Sequence, residues 1–149
     1  MRRILVVEDS ISARAMVRAL LESPDFVRAQ GDCEVVEAAN GFDAMRLLPR
    51  GPYDLIVTDI NMADINGLEL IRFIRKSVHH ARTPLMIISS LQAGHDVERG
   101  LALGANAYIP KPFTPEDFLA TCARLMTAKA ASASEPAPAT SGGPRKGGP

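Results

Sequence analysis

The sequence predicts a doubly wound α/β sandwich, a parallel sheet of five strands between two layers that together hold five helices. Short, nearly continuous apolar runs alternate with longer stretches of helical periodicity, and no internal repeat is found. Five such units, joined by right-handed crossovers, close into one sheet covered on both faces. The 149 residues and 46% apolar content suit a single domain with an ordinary core.

The runs ILVV (Ile4 to Val7), LIVT (Leu55 to Thr58) and LMII (Leu85 to Ile88) are apolar on successive residues, as parallel strands buried on both faces require. These three are expected at the centre. EVVEA (Glu34 to Ala38) is more polar, and AYIPK (Ala107 to Lys111) contains Pro110, which cannot donate to a ladder, so both fit sheet edges. Between them, apolar residues recur at helical spacing: Ala13, Val17, Leu20 and Leu21; Ala44, Leu47 and Leu48; Leu70, Ile71 and Ile74. A fourth helix, from about Asp96 to Leu103, is interrupted by Gly100 and is the element expected to move. The fifth opens with Thr114 as N-cap, Pro115 at the first helical position and Asp117 closing a capping box, and turns Leu119, Cys122, Ala123 and Met126 inward. The link Ser23 to Cys33 is long for this architecture; Pro24 ends or restarts a helix there, and the segment reads as a surface insertion.

The fold is expected over residues 1–129, with 130–149 a flexible tail, because AASASEPAPATSGGPRKGGP has no large apolar side chain to offset its ordering entropy. Lys plus Arg and Asp plus Glu both number 17, so no global field favours nucleic acid or an anionic membrane. The apolar run in MRRILVVEDS is too short for a signal peptide or a membrane span, which points to the cytoplasm. Cys33 and Cys122 lack metal-ligand spacing and read as packing residues. His79, His80 and His95 read as solvated loop residues.

Parallel strands carry their functional residues at their carboxyl ends. Glu8 and Asp9 follow the first strand, Asp59 and Asn61 the third, Ser89 and Ser90 the fourth, and Lys111 the fifth. Like charges about 4 Å apart repel by roughly 4 kcal/mol at an effective dielectric near 20, so three carboxylates on one rim need positive charge beside them. Lys111 and a hard divalent cation are the candidates. Oxygen donors without imidazole or thiolate favour magnesium or manganese over zinc.

These residues resemble the response-regulator receiver domains of two-component signalling, the CheY-like family. The resemblance runs from about Arg2 to Ala128 and rests on LVVEDS, IVTDINMADINGLEL, IISS and YIPKPF, with 30 positions from Asp59 to Ser89 and 22 from Ser89 to Lys111. It implies the flavodoxin/CheY-like strand order 2-1-3-4-5. It also implies that Asp59 is the phosphoacceptor, that Asp9 and Asp59 bind Mg2+ directly with the Asn61 backbone carbonyl, and that Glu8 helps through water. Ser89 and Lys111 would each hold one phosphoryl oxygen, with Pro112 in a cis turn behind the lysine. Ser89 and Tyr108 would form the switch, remodelling the face of the fourth helix, fifth strand and fifth helix. Two residues depart from the common pattern: Ala63 stands where a proline is frequent, and Leu91, near the path of attacking water, is expected to slow hydrolysis of the aspartyl phosphate.

The implied protein is a phosphoacceptor signalling domain that assists its own phosphorylation and dephosphorylation, partnered by a sensor histidine kinase and by a downstream effector or a histidine phosphotransfer protein. No DNA binding, membrane insertion or organic cofactor is expected, and the state is a monomer or weak dimer. With no effector segment after Lys129 it reads as a stand-alone regulator, possible roles being chemotaxis-like control, a phosphorelay shuttle or a phosphate sink. Two other readings are a flavin-phosphate protein, which Glu8 and Asp9 in the first loop oppose by repulsion, and a degenerate receiver that only binds proteins.

Overall fold

Strands that are apolar on both faces need cover on both, and the chain supplies it. The structure, a computed structural model, describes residues 1–62, 65–90 and 94–134, with side chains described as far as residue 128. The elements are β1 (Arg2–Val7), α1 (Ile11–Leu21), α2 (Pro24–Gln30), β2 (Cys33–Ala38), α3 (Gly41–Leu47) with a 3-10 turn at Leu48–Arg50, β3 (Leu55–Asp59), α4 (Gly67–Lys76), β4 (Leu85–Ser90), α5 (Gly94–Leu103), β5 (Ala107–Lys111) and α6 (Pro115–Ser134). All strand pairs are parallel, in the order β2-β1-β3-β4-β5.

The strand period of two divides the core. Leu5, Val7, Ile56, Leu85 and Ile87 pack with α3, α4 and α5, through Ala44, Ile71, Ile74 and Val97 among others. Ile4, Val6, Val57, Met86 and Ile88 pack on the other face with α1, α2 and α6, through Val17, Leu21, Phe26 and Met126 among others. Most of these side chains are fully buried, and each such Val, Leu or Ile contributes roughly 1.5–3 kcal/mol. Phe118, also fully buried, joins the expected inward stripe of α6, and Asp117 N–H donates to Thr114 Oγ1 at 3.1 Å, as the capping box requires.

Four expectations need correction. The layers hold six helices among the described residues, not five, because Pro24 restarts a helix after Ser23. That helix buries Phe26 in the core, so the Ser23 to Cys33 segment is more than a surface link. The last helix continues to Ser134, past the boundary expected at Lys129, because its Ala, Lys and Ser run contains no helix breaker before Pro136. His80 is buried, not solvated; its Nε2 lies 2.7 Å from the Leu48 carbonyl oxygen, a tertiary partner. The rest of the expected tail, and the expectations for Ala63 and Leu91, fall outside the described residues.

Two local devices fix the layer of α4 and α5. Arg75, near the end of α4, donates to the carbonyls of His80, Thr83 and Gly104 and to Asn106 Oδ1 at 2.7 to 3.0 Å. It ties the lower ends of α4 and α5 to the starts of β4 and β5. At the upper end, Gly67 N–H donates to the Ile60 carbonyl at 2.9 Å, and a Cβ on Gly67 would lie 2.5 Å from Ile60 Cα and 2.7 Å from the Asp59 carbonyl oxygen. Only glycine lets α4 begin so close to the end of β3. Gly67→Ala is therefore expected to cost about 1–3 kcal/mol, since the clash is with main chain. Urea unfolding should show a lower midpoint with an unchanged slope.

Candidate functional site

The parallel register brings four strand ends to one edge. Val7 is opposite Thr58, Asp59 opposite Ile88, Ser89 opposite Pro110 and Ser90 opposite Lys111. Glu8 and Asp9 leave β1 at this edge, and Ser10 then caps α1, its Oγ accepting from Ala13 N–H at 3.3 Å.

Lys111 Nζ sits between two carboxylates, 2.7 Å from Glu8 Oε1 and 2.9 Å from Asp59 Oδ2. The other oxygen of each accepts from main chain: Glu8 Oε2 from Ser10 N–H at 3.0 Å and Asp59 Oδ1 from Asn61 N–H at 3.1 Å. Glu8 and Asp59 are 1% and 6% exposed, so their charges depend on these partners rather than on water. The Lys111–Pro112 peptide is cis, as expected from the sequence. Burial pushes the Lys111 ammonium down, but the hydrogen bonds to Glu8 and Asp59 and their negative charge push it further up, so its pKa is raised.

Asp9 is exposed, and one oxygen each from Glu8, Asp9 and Asp59 lie within 4.8 Å of one another. Three acidic groups so close repel by several kcal/mol even at an effective dielectric near 20, and one ammonium offsets only part of that. The donor set is all oxygen, which suits a hard divalent cation such as magnesium. Ser89 Oγ is fully buried and has no hydrogen-bond partner among the described residues. A buried hydroxyl without a partner needs a reason, and an incoming acceptor oxygen would supply one.

The structure therefore brings Glu8, Asp9, Asp59 and Lys111 into one group, with Asn61 joined through its N–H. Ser89 lies one residue beyond the register partner of Asp59. Tyr108 is half-buried, opposite Ile87, and packs on the core shared with α3, α4 and α5. By strand alternation Ser89 points to that same layer. Sequence reasoning missed two supports of the site. Gly67 brings the start of α4 against the Ile60 and Asp59 main chain, and Arg14 donates from Nη1 to the Glu8 carbonyl oxygen at 2.8 Å. The signals available were the NG pair at the start of α4 and an arginine in the first helix with an acidic residue, Glu37, in the second strand.

Comparison with known proteins agrees with this geometry. The family model for the response regulator receiver domain matches residues 4–123. The chain is 40% identical over 125 residues to the gliding motility regulatory protein of Myxococcus xanthus, covering 84% of this chain and 15% of that protein. It is 32% identical over 112 residues to the chemotaxis protein CheY-3 of Vibrio cholerae, covering 75% of this chain and 82% of that protein. It thus spans a small part of the first relative and most of the second. Among solved structures, the chemotaxis response regulator CheY4 of Vibrio cholerae matches with a TM-score of 0.73 at 32% identity, covering 84% of this chain and 98% of that one. The receiver domain of a sensor histidine kinase from Pseudomonas aeruginosa, with a magnesium ion coordinated in its active site cleft, matches with a TM-score of 0.72 at 28% identity, covering 85% and 98%.

The site generates a stability prediction. Lys111→Met leaves two buried carboxylates without their cation and is expected to destabilise the metal-free fold by about 3–5 kcal/mol at neutral pH. Because the folded-state pKa of Lys111 is raised, its contribution is whole below the unfolded value of about 10.4 and is lost as pH rises through the folded one. Urea unfolding followed upward from neutral pH should show the wild type losing stability above about pH 10.4 more steeply than Lys111→Met.

Proposed function

The chain belongs to the response regulator receiver domain family, and on that premise we propose that Asp59 accepts a phosphoryl group from a sensor histidine kinase and so switches a partner-binding face. The observation that carries this reading is the Lys111 ammonium bridging Glu8 and Asp59 beside Asp9. A lysine held only by carboxylate oxygens can transfer its contact to a phosphoryl oxygen at little cost, because one anion replaces another.

Asp59 uses one carboxylate oxygen to form the bond to phosphorus as the bond from phosphorus to the donor nitrogen breaks. Asp9, Asp59 and the Asn61 carbonyl would hold a magnesium ion, with Glu8 assisting through water, and when bound that ion neutralises charge on the phosphoryl oxygens. Lys111 moves its ammonium to one of those oxygens and Ser89 donates its free hydroxyl to another. Asn61 N–H keeps the acceptor carboxylate oriented before reaction.

The product carries nearly two added negative charges and three acceptor oxygens. Drawing Ser89 toward them empties space on the α5 side of β4, and Tyr108, on the same layer, moves into it. The face made by α5, β5 and α6 is then read by a partner. A few hydrogen bonds fall short of the about 5.5 kcal/mol needed to carry a population from 1:99 to 99:1, so both states stay populated. We assign the chain to a CheY-like signalling role, a reading supported by its match to the chemotaxis protein CheY-3, of which it covers 82%, and place it in the cytoplasm as a monomer or weak dimer. No helix among the described residues is long and apolar enough to cross a membrane.

Labelling from acetyl phosphate tests the chemistry. The wild type is expected to take up phosphate only with magnesium present, and Asp59→Asn to take up none; full uptake by Asp59→Asn overturns the assignment. The switch has its own check: the Tyr108 ring signals in NMR should move on adding beryllofluoride, and Ser89→Ala should suppress most of that movement. Unmoved signals in the wild type would defeat the coupling.

A further inference from the structure

The acidic turn is joined to a chain of ion pairs between α1 and β2. Arg14, Arg18 and Glu22 recur every four residues and so share one helix face. That face meets Glu37 on β2. Arg14 Nε donates to Glu37 Oε1 at 3.0 Å, Arg18 Nη1 makes a short contact with Glu37 Oε2, and Arg18 Nε donates to Glu22 Oε2 at 3.1 Å. Both oxygens of Glu37 are thereby engaged. Its carboxyl is held below the usual range, first by the hydrogen bond from Arg18 and despite burial.

Anchored in this way, Arg14 uses Nη1 to grip the Glu8 carbonyl oxygen at 2.8 Å. That oxygen belongs to the peptide joining Glu8 to Asp9, so the guanidinium fixes the plane from which Asp9 departs. Glu8 has other restraints: its N–H donates to the Ala38 carbonyl at 3.1 Å, and its carboxylate meets Lys111 and Ser10. The Asp9 carboxylate has no hydrogen bond or ion pair among the described residues, so the main chain, which sets where its Cβ stands, is the restraint left on it. The Arg14 side chain is 17% exposed, which limits competition from water for its fork.

We propose that Arg14, locked by Glu37, is a positioning residue that presents Asp9 to the divalent cation. This rests on the reading of the acidic group as the cation site of phosphoryl transfer. Two effects of the guanidinium oppose each other. As a bare positive charge near the site it would weaken cation binding, and as a geometric clamp it would strengthen it. The sign of a single substitution separates them.

The experiment measures the magnesium concentration that half-saturates binding, by NMR titration without any phosphodonor, and separately the maximal acetyl phosphate labelling rate at saturating magnesium, in the wild type, Arg14→Lys, Arg14→Met and Glu37→Gln. For Arg14→Met the half-saturating magnesium should rise about tenfold, the order expected from losing one charge-assisted hydrogen bond. The maximal rate should change far less. Arg14→Lys loses the fork but keeps the charge that opposes the cation, and should show a rise at least as large. An unchanged or lowered half-saturation in Arg14→Met overturns the proposal, because a bystander or a bare charge would behave so. Should Arg14→Met fail to fold by circular dichroism, Glu37→Gln serves instead, with a rise of about threefold expected from a weakened anchor and no change overturning the idea. A wild type that labels without magnesium dependence defeats the phosphoacceptor reading and this proposal together; a wild type that labels normally beside unshifted variants defeats this proposal alone.

Discussion

Everything at the carboxyl edge of the sheet depends on one ammonium held between two buried carboxylates. Glu8 and Asp59 are almost withdrawn from water, and each gives one oxygen to Lys111 and the other to a main-chain N–H. Without that arrangement, burial would force protonation or open the loops. The contact joins residues 103 positions apart, Glu8 at the end of β1 and Lys111 at the end of β5, across the full central sheet. It can form only after β3 and β4 have been placed between them. The site is thus a product of completed tertiary structure, and the rigid apolar layers on both faces hold its geometry.

Much of this was legible in the sequence because it depends on residue type and spacing. The apolar runs from Ile4, Leu55 and Leu85 marked the central strands, and they lie in the middle of the observed order. Pro110 correctly placed β5 at an edge, opposite Ser89 on its one neighbour. The acidic pair, Asp59 and Lys111 converge because parallel strands end at one edge, a property that follows from topology alone.

The features that escaped detection share a different cause. Arg14 and Gly67 act on main-chain atoms, the Glu8 carbonyl and the Ile60 and Asp59 backbone, and a carbonyl has no letter in the sequence. His80 likewise finds its partner in the Leu48 carbonyl, brought near only by the fold. The seven residues of α2 are too few to display a helical period, so Phe26 gave no sign of facing inward. Helix α6 ran past its expected end because composition alone cannot separate an Ala-rich helix from an Ala-rich linker.

The Arg75 clamp gives α5 a mechanical character. With its carboxyl end held through Gly104 and Asn106, sliding the helix along the sheet would break these bonds, whereas rotation about that end would keep them. A ten-residue helix is about 15 Å long, so a tilt of about 10° carries its far end through roughly 2.5 Å while the near end stays in place. Displacement therefore grows with distance from the pivot, and a partner seated near Gly94 would feel a larger stroke than one seated near Leu103.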